Sequence, residues 1–159
     1  MRTSRKQTRS AVVGVALSAS IGLVACGGSA APTDTTAAEG EAQVIDIVAT
    51  DYEFEGAPEE LTTGPVELSF SNEGEEPHML IFAKLNEGST LEDAIKAKGE
   101  DGTTTDIGTI PPVEPGQEAP ATISADITEP GEYFMLCPLE TKDGEFHFDL
   151  GQLKEYEVQ

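Results

Sequence analysis

The chain has 159 residues and one formal balance dominates it: 30 acids against 9 lysines and arginines, a net charge of −21. That length suits one domain. The charge makes nucleic acid and anionic lipid headgroups poor partners and a cationic partner protein an attractive one, with salt weakening the attraction.

Residues 1–26 read as a secretory signal. Arg2, Arg5, Lys6 and Arg9 form a basic start, and the 14 residues Ala11–Val24 are weakly apolar throughout. A bilayer span takes about 20 such residues, so a cleaved signal is the better reading. Leu23-Val24-Ala25-Cys26 resembles the bacterial lipobox, which implies cleavage before Cys26 and lipidation of that cysteine. An ordinary secretory signal cleaved near Ala25 is the alternative. After cleavage five lysines face the 30 acids, a net charge of −25. The expected location is extracytoplasmic, on a cell membrane, with the lipid anchor as the sole membrane contact. Residues 27–42 hold nothing that builds a core, and read as a flexible tether with a reach of roughly 20–25 Å.

Residues 43–159 form the predicted domain. Val44–Ala49 is a β-branched strand that Tyr52 and Phe54 continue by alternation. Leu61–Pro65 is a turn. Val66, Leu68 and Phe70 alternate with Glu67, Ser69 and Ser71, the pattern of a half-buried strand. Asn72-Glu73-Gly74 breaks it, and Met79–Leu85 is a mostly apolar central strand. Ser89–Lys98 is the single helix expected, capped by Ser89 or Thr90 with Glu92 or Asp93 three residues on, and closed by Gly99. Glu100–Asp106 reads as a loop, and Pro111-Pro112 and Pro115-Gly116 as turns. Ala119, Ala121, Ile123 and Ala125 alternate as a further strand, and Glu132–Cys137 is a strong one. Thr141–Gly144 carries an Asp-Gly hairpin signal. Lys154–Val158 closes the chain. Many short strands separated by Gly/Pro turns indicate an all-β sandwich with one helical insertion.

Lipidation of Cys26 leaves Cys137 as the one remaining thiol, so no intrachain disulfide forms. A lone thiol outside the cell persists when it is deeply buried or held by a metal. The chain has two histidines, His78 after Pro77 and His147 after Cys137 with nine residues between them. A thiolate and two imidazoles drawn from distant positions are the donor types of a trigonal copper site. The plainer roles are a buried strand-end cysteine, ordinary loop histidines and a polar Gln152 at a strand entry.

These segments together resemble the cupredoxin family, the small blue copper proteins such as plastocyanin. Phe70–His78 is similar to that family's strand, turn and Pro-His segment. Gly131–Cys137 is similar to its Gly-x-Tyr-x-x-x-Cys strand, and His147–Gln152 has the spacing of its His-x-x-x-Gly-Met ending. The resemblance implies a Greek-key β-sandwich with its ligands at one end. His78 would come from one loop, and Cys137 and His147 from the loop before the last strand. One type 1 copper would then be held by Cys137, His78 and His147, with Gln152 in the weak axial position and single-electron transfer as the activity. Apolar neighbours Pro77, Met79, Phe146 and Phe148 would limit water access. The departures are Gln152 where methionine is usual, Pro138 after the cysteine, Met79 where Asn is common, and a long Cys-to-His loop. The chain lacks a base and an orienting group at nucleophile spacing, and an enzyme is not expected. A metal-free binding module and a copper storage or delivery protein are the other readings. A monomer is expected.

Overall fold

A computed structural model describes residues 41–100 and 102–159. The 1–26 signal with Cys26, and the 27–42 tether apart from its last two residues, lie outside the described residues. Nine strands and one helix follow in order: β1 (Gln43–Thr50), β2 (Glu53–Glu55), β3 (Gly64–Asn72), β4 (His78–Leu85), α1 (Leu91–Lys96), β5 (Thr104–Val113), β6 (Gln117–Glu118), β7 (Ile123–Ile127), β8 (Gly131–Leu136) and β9 (Leu153–Val158). They build two sheets. In one, β2, β1 and β3 lie side by side, and β6 and β7 both pair with β3; the other runs β5-β4-β8-β9. The chain crosses between sheets after β3, β5 and β7, so the expected Greek-key sandwich is the fold.

The alternation read from β1 and β3 places Ile45, Ile47, Ala49, Val66, Leu68 and Phe70 inward. They meet Leu80, Phe82, Ile110, Tyr133, Met135, Tyr156 and Val158 of the second sheet in one core. β4 and β8 are buried on both faces. On the outer side Ala83, Leu85, Phe134 and Leu136 form a second cluster with Ala94 of α1, which explains the continuous apolar run of β4. The helix is shorter than expected, and Thr90 caps it in a reciprocal box with Asp93.

Three expectations change. Residues 104–113 are a strand, where a loop and a diproline turn were predicted. β5 is an edge strand, and a β4–β5 register shift falls at Pro111-Pro112, so neither proline has a paired residue on β4. The strand read over Ala119–Ala125 splits into β6 and β7, leaving Ala119 and Ala121 between them. His78 is the first residue of β4 instead of a loop residue.

The sandwich sets up a site at one end. β4 and β8 pair antiparallel, so the start of one and the finish of the other come together. His78 opens β4, Cys137 follows β8, and the 137–152 segment then returns to β9.

Phe82 is wholly buried between the sheets. Its truncation, Phe82→Ala, is expected to lower the unfolding free energy by about 3–5 kcal/mol in a denaturant titration; a loss under about 1 kcal/mol would contradict this packing.

Candidate metal centre

Four polar side chains are buried at the β4/β8 end: Asn72, His78, His147 and Gln152, alongside Cys137. Burying that many polar groups together is expensive unless each finds a partner. Their geometry shows which do.

Cys137 Sγ lies 3.5 Å from His147 Nδ1, which lies 3.1 Å from His78 Nδ1. One donor atom from each of the three residues falls within 4.8 Å of the others. Bonds of about 2.0–2.3 Å to nitrogen and sulfur at near-tetrahedral angles give donor–donor edges of about 3.3–3.6 Å. Two of the three separations are therefore close to the edges of a metal-binding polyhedron, and the third falls within 4.8 Å. Both imidazole Nε2 atoms are buried without a hydrogen-bond partner. A cluster of this kind, with like donors facing inward and orphaned atoms behind them, fits a cation at its centre.

Gln152 completes the group. Its Oε1 is 2.9 Å from His78 Nδ1, while its Nε2 donates to the carbonyls of Thr50 and Glu53, each at 3.3 Å. Two carbonyl partners require the NH2 end, so the amide oxygen faces the donor set. All four residues singled out in the sequence, His78, Cys137, His147 and Gln152, are brought together.

The long 137–152 segment is held by its own backbone. Cys137 N donates to Gln152 O, Phe148 N to Cys137 O, His147 N to Leu139 O, and Gln152 N to His147 O, all between 2.9 and 3.1 Å. The surplus residues fold outward at Thr141–Gly144, where Thr141 N donates to Glu145 O and Glu140 bridges Phe146. The hairpin signal is realised there.

Burial pushes the Cys137 thiol up, and the backbone N–H groups of Met79 and Leu139 pull it part of the way back. The Met79 N–H points at Sγ from 3.4 Å. Pro138, lacking an N–H, contributes nothing there. A bound cation would reverse the balance, because a coordinated thiol gives up its proton. Burial also lowers the His78 value; the Gln152 hydrogen bond raises it and the neighbouring His147 lowers it again.

Sequence reasoning missed several contributors. Asn72, read only as a strand breaker, donates through Nδ2 to Glu76 O and Val113 O and accepts from Gly74 N, each at 2.8 Å, so it ties down the turn before His78. Gly74 lies against His78: a Cβ there would stand 2.7 Å from Nε2 and 2.9 Å from Asp51 Oδ1. Tyr52 and Glu76 cover His147. Of the four apolar neighbours expected to limit water access, Pro77 is exposed, and Met79, Phe146 and Phe148 are half-buried. Phe146 and Phe148 stack on each other at 5.0 Å, on the outer side of the ligand segment with Ile81 and Leu136.

No protein-family model and no curated protein matches this sequence. Solved structures do match the fold. The reduced auracyanin of the photosynthetic bacterium Roseiflexus castenholzii is 22% identical, with 76% of this chain and 99% of that one covered at a TM-score of 0.52. Auracyanin A, a blue copper protein of Chloroflexus aurantiacus, gives 17% identity over 73% of this chain and 98% of its own, TM-score 0.51. An azurin from the methylotroph Methylomonas sp. strain J gives 11% identity over 74% and 98%, TM-score 0.51. The chain has the cupredoxin fold.

Two outcomes are expected. Gly74→Ala forces His78 to shift, and should weaken uptake of added Cu(II) by about tenfold or more in a chelator competition; unchanged affinity would contradict the close contact. His78 titrates at 6.5 in the unfolded chain and lower in the folded one, so its protonation favours unfolding. Its contribution to stability is complete above that value and is lost as pH falls below it. Melting temperatures of the metal-free protein should decline below about pH 6.5, and His78→Asn should flatten that decline. Equal slopes in both proteins would exclude His78 as the cause.

Proposed function

We propose that this protein is an exported, lipid-anchored carrier that holds one type 1 copper ion and passes single electrons. The observation that carries the reading is the convergence of Cys137 Sγ with the Nδ1 atoms of His78 and His147 in a buried pocket. Thiolate and imidazole are the ligands that suit copper, and a trigonal His2Cys set with a weak axial oxygen is the electron-transfer arrangement. Cys137, His78 and His147 would be the equatorial ligands and Gln152 the axial donor. Copper bound there supplies a one-electron couple.

The chain's own part is to keep the ligands in place. Two sheets and the bonded 137–152 backbone hold the donors near one geometry, which keeps reorganisation between oxidation states small. Burial of all four side chains excludes water. The Gln152 amide oxygen would be a harder donor to bound copper than a thioether, favouring Cu(II) and a lower potential. Export and anchoring through Cys26 rest on the lipobox resemblance, and the tether would let the domain stand off the membrane. The acidic surface favours a cationic redox partner. A shielded site with every ligand buried speaks for a carrier over a delivery protein, which needs metal that solvent reaches.

Cys137→Ala is expected to abolish the intense thiolate-to-copper absorption while leaving the circular-dichroism spectrum of the sandwich intact. A coloured Cys137→Ala protein would overturn the assignment. Gln152→Met should raise the reduction potential; an unchanged potential would remove Gln152 from the ligand set.

A further inference from the structure

His147 sits in a loop, yet 1% of its side chain is exposed, and Nε2, the atom turned away from the donor cluster, meets a carboxylate. Glu76 Oε2 lies 3.5 Å from it, close enough for a charge contact and too far or misaligned for a formed hydrogen bond, which leaves Nε2 without a partner. Glu76 is itself held. Its Oε2 accepts from the Tyr52 hydroxyl at 3.5 Å, its Oε1 faces Lys142 Nζ at 4.0 Å, and its carbonyl accepts from Asn72 Nδ2 at 2.8 Å. The Tyr52 ring closes the same side, standing edge-on to the His147 ring at 5.1 Å and 70°.

A neutral imidazole has one proton for two nitrogens. The surroundings of His147 are unequal. Nδ1 faces His78 Nδ1 and the Cys137 sulfur, where a lone pair is wanted. Nε2 faces an acceptor that has no proton to give. Metal-binding histidines characteristically donate their second N–H to such a group, which fixes both tautomer and ring orientation. Among the described residues no carboxylate makes an ion-pair contact with His78, whose Nε2 rests against Gly74 with Asp51 beyond it.

We infer that Glu76 is a positioning residue: its carboxylate holds the His147 proton on Nε2, so that Nδ1 presents its lone pair to the metal, and Tyr52 shuts water out of that contact. This deepens the copper reading and rests on it for its purpose. Glu76 thereby takes a task at His147, while Asp51 serves the neighbouring turn by accepting from Glu75 N at 2.9 Å.

The test is nitrogen NMR of the metal-free, ¹⁵N-labelled protein at mildly alkaline pH, joined to Cu(II) affinity by chelator competition. The wild-type His147 should show the Nε2–H tautomer. Glu76→Leu should shift it toward Nδ1–H and weaken Cu(II) binding by about 10–100-fold. Glu76→Gln, whose amide oxygen still accepts, should restore the tautomer and most of the affinity. An Nδ1–H tautomer in the wild type would overturn the inference whether or not Glu76→Leu folds, as would an unchanged tautomer in that variant. Wild-type protein that takes up no copper would defeat the carrier reading, while the tautomer comparison would still decide the role of Glu76.

Discussion

The structure turns on the mutual closeness of two imidazole nitrogens and one sulfur inside a dry pocket. The Nδ1 atoms of His78 and His147 are 3.1 Å apart and the Cys137 sulfur is 3.5 Å from one of them. Without an ion this is an unfavourable grouping. Solvent has been stripped from lone pairs that cannot all satisfy one another, and two further nitrogens are left orphaned. A soft cation would convert the same arrangement into three strong contacts. The pocket is costly to the empty protein and suited to the loaded one.

The rest of the fold maintains that closeness. Antiparallel pairing of β4 and β8 fixes His78 beside Cys137. Backbone bonds from Cys137 to Gln152 and from Gln152 to His147 make the 137–152 segment a braced structure despite its length. Asn72 braces the other side through three hydrogen bonds. Gln152 is gripped by carbonyls of Thr50 and Glu53, so the first sheet also reaches into the site. Each of these ties resists relaxation of the four side chains away from this arrangement.

Much of this was legible in the sequence because the chemistry is rare in the composition. With two histidines and one cysteine between residues 43 and 159, the donor set was nearly determined by residue type and spacing. The capped helix and the Asp-Gly turn carry local signals and could be read locally. The cover over the site could not. Tyr52, Glu76, Asn72 and Gly74 belong to residue types that turns and acidic surfaces use everywhere, and their task is visible only when β2, the 73–77 turn and the ligand segment meet in space. Pro77 shows the converse error: an apolar residue next to a ligand in sequence is exposed. The β5 prolines misled for a related reason, since a proline disrupts a strand only where a neighbour needs its missing N–H, and β5 has a free edge.

X-ray absorption at the copper edge of the Cu(II)-loaded protein tests the central claim most directly. One sulfur and two imidazole nitrogens at about 2.0–2.3 Å around a single copper per chain is the expected shell. A shell of nitrogen and oxygen alone, or copper bound in several places along the acidic surface, would contradict it.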